Sequence, residues 1–323
     1  MGYATIQRTG LRLMFQGSAR TKGLAQGFAP GGFADWEAAQ LANRLVRNPK
    51  HHTLLECEFG GLALAFEDHC VIAFTRSDRG AVLEKPDGST QCLSENTAYR
   101  IPANSTLAMP TNRRWLRSYI AVAGGFNAPS FCGSTTTVIT EEKLPIKELP
   151  KPLSAQSKIH FDPRGATSTV WDQPLLKTRD LDIACGKDPS GKLAALIQPA
   201  YQFGRFSAAC IQRLSETSFF IEAASTRQAV VLTPDPINRA GFLDTLPSSL
   251  DCSSEPLLYG SVQVAANGTL YVMGCDRKPT GGYAKLGWVG ARDMNQLMRS
   301  MPGTKVQLRF SSITNSAESE LAD

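Results

Sequence analysis

The sequence predicts a mainly β protein built as two β-rich halves with a few short helices. Three observations carry this. Many short apolar or alternating runs are punctuated by Gly, Asn and Pro, each half contains a hairpin signature, and a proline-studded stretch separates the halves. Such short strands favour barrels or sandwiches over a parallel α/β sheet. With 323 residues the chain exceeds what one core usually serves, at ~100–200 residues per domain.

Taken in order, Asp35 caps a helix over Trp36–Val46, where Ala38, Leu41, Ala42 and Leu45 recur at helical spacing. Arg44 and Arg47 complement its C-terminal dipole, and Pro49 stops it. Leu62–Phe66 and Cys70–Thr75 read as strands. Ala81–Lys85 and Ser89–Leu93 flank Pro86-Asp87-Gly88 as a hairpin, and Ser118–Ala123 is a further apolar run. Pro145, Pro150, Pro152 and Pro163 mark a connection between Leu144 and Arg164. The expected division is therefore residues 1–150 and 151–323, with strand exchange between the halves left open.

In the second half, Leu193–Ile197, Ala229–Leu232 and Lys305–Phe310 read as strands, and Ser207 caps a short helix through Leu214. Gly260–Val264 and Thr269–Met273 flank a turn containing Asn267-Gly268, a pair that readily takes positive φ. Asp293–Met301 carries Met294, Leu297, Met298 and Met301 on one face, a stripe that predicts core packing. Asn315–Asp323 reads as a frayed acidic tail.

Hydrophobic residues make up 42% of the chain and charged residues 20%, with a net charge of +5. The Lys and Arg residues are scattered, which argues against a nucleic-acid partner. Eight cysteines lie singly with no Cys-x-x-Cys pair, no apolar run is long enough to span a bilayer, and no secretory leader pattern is present. These features predict a cytoplasmic protein with reduced thiols and no membrane association.

Cys185–Leu193 approaches a phosphate-binding P-loop through Gly186, Gly191 and Lys192. Leu193 stands where the Mg²⁺-binding hydroxyl belongs, and a strand follows, so a hairpin loop is the better reading. His51, His52, His69 and His160 lack metal-ligand spacing, so no metal site is expected. Asp276–Lys285 is the strongest local signal. It combines Asp276, Arg277, Lys278, Thr280, the pair Gly281-Gly282, Tyr283 and Lys285. Paired glycines let a backbone approach a ligand, and Arg277 or Lys285 suits an anionic group. A charged turn whose glycines only satisfy geometry is an equal reading on composition alone.

This stretch resembles the pattern Asp-Arg-Gln-Thr-Thr-Gly-Gly-Tyr-Pro-Lys of the family of biotin-dependent carboxyltransferases and 5-oxoprolinase C-type subunits, also called allophanate hydrolase subunit 2. Asp276, Arg277, Thr280, Gly281, Gly282, Tyr283 and Lys285 match; Lys278, Pro279 and Ala284 do not. Leu41–Val46 with Asn48-Pro49, then Leu55-Glu56 and Gly60-Gly61, and Ser118–Gly125 with Gly133-Ser134, resemble family segments in the same order. So do Gly260–Val264 and Asp293–Phe310, which extends the resemblance over nearly the whole chain. It implies two cyclophilin-like β-barrel subdomains, at residues 1–150 and 151–323. It also implies a B-type partner subunit (allophanate hydrolase subunit 1-like), an A-type subunit in 5-oxoprolinases, and a small amide or lactam substrate. No covalently bound cofactor is implied; ATP or carboxybiotin would act through the complex.

Carried onto matching positions, the resemblance implies catalytic roles for Asp78, Arg277, Lys285 and Tyr283. It implies substrate binding by Arg20, Arg227, Thr280, Gly281 and Gly282. The chain departs from the pattern at polar positions. Gln-Asp-x-Gly-Arg becomes Gln16-Gly17-Ser18-Ala19-Arg20, Pro-Ser-Gly becomes Pro30-Gly31-Gly32, and Gly-Ser-Arg-Ser-Thr becomes Gly133-Ser134-Thr135-Thr136-Thr137. The second arginine of Ser-x-Arg-x-Gly-x-Arg becomes Val231, and Thr-Gly-Ala-Asp becomes Thr75-Arg76-Ser77-Asp78, where Arg76 offers a replacement charge. Two readings follow. The retained C-terminal motif favours a subunit of an ATP-dependent 5-oxoprolinase or a related carboxyltransferase. The lost polar groups favour a catalytically reduced regulatory subunit that pairs with a B-type kinase-inhibitor-like protein.

Overall fold

A computed structural model describes residues 1–162 and 193–311. The P-loop-like stretch through residue 192 and the acidic tail 315–323 lie outside the described residues. The described chain divides into two compact units, one of residues 1–162, 275–279 and 298–301, the other of residues 193–274, 280–297 and 302–311.

The first unit contains β1 (Gly2–Thr9), β2 (Arg12–Gln16), α1 (Trp36–Leu45), β3 (Leu54–Glu58), β4 (Leu62–Phe66), β5 (Cys70–Thr75) and β6 (Ala81–Glu84). It continues with β7 (Thr90–Leu93), β8 (Thr97–Ile101), β9 (Ser105–Ala108), β10 (Arg117–Val122), β11 (Phe126–Asn127) and β12 (Lys158–Phe161). These form a seven-stranded sheet, β11-β12-β1-β4-β9-β6-β7, and a five-stranded sheet, β2-β3-β10-β5-β8. The strand β12, beyond residue 150, pairs with β1 from Gly2↔Phe161 to Thr5↔Lys158.

The apolar runs of β5 and β10 are continuous because both faces are covered. Ile72, Phe74, Ile120 and Val122 face the core shared by the two sheets, with Ile6, Leu64, Phe66 and Phe161. Their alternates Val71, Ala73, Tyr119 and Ala121 pack against Ala38, Leu41, Ala42 and Leu45 of α1. Asp35 caps α1, accepting from the Ala38 N–H at 3.2 Å.

The second unit contains β13 (Leu193–Pro199), α2 (Ala208–Glu216), β14 (Ser218–Ile221), β15 (Ala229–Pro234), α3 (Pro236–Leu243) and β16 (Asp251–Pro256). It goes on with β17 (Ser261–Val264), β18 (Leu270–Met273), β19 (Thr280–Tyr283), β20 (Lys285–Val289), α4 (Ala291–Arg299, all but its last two residues) and β21 (Lys305–Phe310). Seven strands close a barrel in the order β13-β20-β17-β18-β15-β14-β21, while β16 and β19 form a separate ladder. Closure comes from the parallel pairing of β13 with β21, from Leu193↔Val306 to Ile197↔Phe310. Ser207 caps α2, accepting from the Cys210 N–H at 3.2 Å. Met294, Leu297 and Met298 of α4 are buried, so the methionine stripe is core.

Both expected hairpins form. Gly88 and Gly268 take φ of 78° and 79°, and the Ser89 and Thr269 carbonyls accept from Lys85 and Ala265 N–H groups at 2.9 Å. The mainly β architecture with a few helices is as the sequence predicts.

Candidate functional site

In the second unit, β19 carries the diglycine motif and pairs antiparallel with β16, with Glu255 opposite Gly281 and Pro256 opposite Thr280. The glycines are required by this packing. A Cβ on Gly281 would stand 2.9 Å from Gln263 Nε2 and Leu257 Cδ1, and one on Gly282 would stand 2.9 Å from the Cys252 carbonyl oxygen. The Gln263 side-chain amide also donates to the Tyr283 carbonyl at 3.3 Å, tying the motif to β17. Thr280 and Tyr283 are exposed.

The chain then enters the barrel at Lys285, which is 5% exposed. Its backbone N–H donates to Gln202 Oε1 at 2.7 Å. Its Nζ lies 3.3 Å from Glu255 Oε2, yet is buried without a well-directed hydrogen bond. Tyr201 donates its hydroxyl proton to Glu255, and Gln202 Nε2 donates to the Tyr201 oxygen at 3.0 Å and to the other oxygen of Glu255.

The Tyr201 hydrogen bond, helped by Lys285 and Gln202, holds the Glu255 carboxyl below the usual carboxylate range. The same bond pushes the Tyr201 phenol up. At neutral pH the cluster therefore comprises an ionised carboxylate and a neutral phenol, beside a nearly buried lysine nitrogen without a hydrogen-bond partner among the described residues. Such a lysine is placed to hold a developing oxyanion or a small anion. Arg227 is 2% exposed, on the loop between β14 and β15.

In the first unit, Arg20 is 3% exposed and its charge is taken up internally. It pairs with Glu141 at 2.6 Å, donates to the Ala29 and Thr136 carbonyls at 3.3 Å, and lies over the Phe131 ring. Asp78 is exposed and accepts from the Arg113 N–H at 3.2 Å. Asp276 is 3% exposed and Arg277 is half-buried. Arg76 pairs with Asp35 at 3.1 Å and lies over Trp115, so its charge supports the α1 cap. The same carboxylate lies 3.6 Å from Arg299.

The departures from the family pattern pack against one another. A Cβ on Gly17 would stand 2.5 Å from Thr135 Oγ1, and one on Gly31 2.4 Å from Thr136 Cγ2. A Cβ on Gly32 would meet Ala19 at 3.2 Å. The Gly32 N–H donates to Thr136 Oγ1 at 2.8 Å, and that hydroxyl in turn donates to Gln16. Threonines thus occupy space that side chains at 17 and 31 would need.

Sequence reasoning missed Glu255, Tyr201 and Gln202. Their strand and turn show no apolar periodicity, so nothing local marks them. Among the described residues no group of three or more His, Cys, Asp or Glu can hold a metal ion. No helix among them is long and apolar enough to cross a membrane. Burial, aided by the neighbouring Glu58, pushes the Cys57 thiol up to about 12, which leaves it unreactive.

A family profile described as "Carboxyltransferase domain, subdomain A and B" matches residues 26–310. The chain is 27% identical to the C-type subunit of 5-oxoprolinase from Escherichia coli over 305 residues, covering 90% of this chain and 86% of that protein. It is 30% identical over 111 residues to urea amidolyase of Saccharomyces cerevisiae, covering 34% of this chain and 6% of that one. Among solved structures it is similar to TTHA0988, with a TM-score of 0.76 and 26% identity. That match covers 97% of this chain and 56% of the TTHA0988 chain, so the chain spans little more than half of that protein. With the profile running through both the sandwich and the barrel, the chain belongs to the carboxyltransferase-domain family that carries subdomains A and B.

Proposed function

We propose that the chain is the C-type subunit of an ATP-dependent 5-oxoprolinase, or of a related amide-directed biotin-dependent carboxyltransferase. It acts with a B-type partner and, in the oxoprolinase case, an A-type subunit. The observation that carries this is Lys285. The retained motif ends on a nearly buried lysine whose Nζ lies 3.3 Å from Glu255 and has no hydrogen-bond partner among the described residues.

Amides and lactams are poor electrophiles, and a fixed cation lowers the barrier by stabilising charge that develops on the carbonyl oxygen. Glu255 lies beside the Lys285 Nζ, and Gln202 fixes both the Lys285 backbone and the carboxylate. ATP or carboxybiotin reaches the substrate through the complex, as the source of phosphoryl or carboxyl groups. Lys285 is the group among these that fits the anionic end of either.

The test is co-expression with B- and A-type partners and measurement of ATP-dependent glutamate release from 5-oxoproline. Release by the wild type that is lost in Lys285→Met supports the reading. No release, or release indifferent to Lys285, refutes it.

A second reading has its own support. In the first unit, Arg20 is consumed by Glu141 and the Gly17–Thr135 packing leaves no room for a larger side chain. A regulatory subunit that binds a B-type kinase-inhibitor-like partner needs no polar groups there. Tight complex formation without turnover of any lactam, urea or biotin substrate would favour it.

A further inference from the structure

The Lys285 Nζ is buried and closed to solvent, so a ligand can touch it only after something covering it moves. We propose that β16 is a strap closed over Lys285, and that Glu255 stands in at the Lys285 nitrogen for an anionic ligand. That ligand enters by displacing Glu255 and lifting the strap. The proposal rests on Lys285 being the ligand-binding group and adds the regulation of that site.

Of the elements around Lys285, the barrel strands cannot yield cheaply. β20 is paired on both edges, with β13 and β17, and β17 is paired with β18 and β20. β16 is held differently. Among the described residues it pairs with β19 alone, and that ladder loses register between Asp251 and Glu255. Four of its six residues are exposed and none is buried, so lifting it gives up almost no apolar burial of its own. The buried Leu250 and Leu257 pin its two ends, and the Leu250 carbonyl accepts from the Ala284 N–H at 2.7 Å. The segment between them has fixed ends and a middle that packing does not hold.

Polar bonds hold that middle down, and the short 3₁₀ helix Tyr201–Arg205 supplies them. Tyr201 and Gln202 donate to Glu255, and Gln202 Nε2 reaches Cys252 Sγ at 3.7 Å. Arg205 donates to the Ser249 and Asp251 carbonyls at 3.0 and 3.4 Å. Such bonds exchange for bonds to water at small net cost. Tyr201 is the latch, since it is 78% exposed and its hydroxyl is what ties it to Glu255. The diglycine is the seat: a Cβ on Gly282 would stand 2.9 Å from the Cys252 carbonyl oxygen, so the strap backbone rests directly on it. Glu255 thereby comes 3.3 Å from the Lys285 Nζ without making a well-directed hydrogen bond. A ligand with a better-aimed oxyanion gains a bond that Glu255 does not make, which is what renders the internal carboxylate replaceable.

The full chain alone tests this, by acetylation with N-hydroxysulfosuccinimide acetate read by peptide mass spectrometry, with the exposed Lys278 as internal reference. Lys285 should react about a hundredfold more slowly than Lys278, since its nitrogen is reachable only in a minor open form. Tyr201→Phe removes one bond from the strap and leaves Glu255 and Lys285 in place. It should speed Lys285 about five- to tenfold without changing Lys278. Arg239→Ala, at an exposed position of α3, should change neither. Inorganic phosphate serves as the displacing anion and should protect Lys285. Its half-protecting concentration should fall about five- to tenfold in Tyr201→Phe, because opening is a shared cost, and further in Glu255→Gln, where the internal competitor is gone. Labelling of wild-type Lys285 at the Lys278 rate, an unchanged rate in folded Tyr201→Phe, or absence of phosphate protection overturns the proposal. So does one phosphate midpoint shared by wild type and both variants. Each result is read without partners or turnover, so it stands whether or not the reconstituted complex releases glutamate.

Discussion

The two units treat their buried cations in opposite ways. In the first, Arg20 meets Glu141 at 2.6 Å and adds two carbonyls and an aromatic face, leaving its Nε without a hydrogen-bond partner among the described residues. In the second, Lys285 sits about as deeply but, among the described residues, meets a single carboxylate at 3.3 Å and no hydrogen-bond partner. A buried ion pair backed by two carbonyls and a ring is chiefly architecture, whereas a cation held by one carboxylate alone keeps more capacity for binding. Burial alone would have ranked the two residues together.

The largest expected effect breaks the first half of that contrast. Arg20→Met strands the Glu141 carboxylate and should cost about 3–5 kcal/mol of stability, read as a fall in denaturant midpoint. An unchanged midpoint would mean that the pair is not architectural. Lys285→Met should behave inversely. In the reconstituted complex kcat should fall about 10²–10³-fold, with a thermal midpoint close to wild type. Loss of folding in place of activity would erase the distinction between the units.

Smaller effects sharpen it. Gly31→Ser restores the family's side chain but places its Cβ against Thr136, and overpacking of this kind costs about 1–3 kcal/mol. Pairing it with Thr136→Ser removes the Cγ2 contact but neither the Oγ1 contact nor the strain of a side chain at φ 67°, so it should recover only part of the loss, and a purely additive double mutant would show that the two sites are independent. The smallest effect concerns pH. His52 is neutral in the fold with a depressed pKa, so the unfolded chain takes up its proton first as pH falls below about 6.5. Stability should therefore decline from that point down through the folded pKa, and His52→Gln should flatten this part of the profile.

Much of the fold was legible because periodicity and caps are local. The continuous apolar runs of β5 and β10, the two Gly-closed hairpins and the Asp35 and Ser207 caps each announce themselves within a few residues. The strand β16 does not, since Asp251–Pro256 has no apolar face and exists by pairing with a motif far along the chain. Glu255 was therefore invisible, and with it the local environment of Lys285. Gly281-Gly282 was legible as a conformational requirement, but not as packing against β16 and Gln263, which only the register reveals. Arg20 and Arg227 were recognised as cations by type. That Arg20 is committed to Glu141, 121 positions away, is a tertiary fact with no local signature.

The parallel pairing of β13 with β21 has a kinetic consequence. The barrel closes by joining the first and last of its seven described strands, so no subset of the intervening strands can seal it. During synthesis, β13 and β14 each keep an open edge until β21 has left the ribosome, because β21 pairs with both. Closing so long a loop slows folding and prolongs the exposure of unpaired strand edges. A chain interrupted before Lys305 would retain most of its apolar residues yet present two adhesive edges, and aggregation is its expected fate.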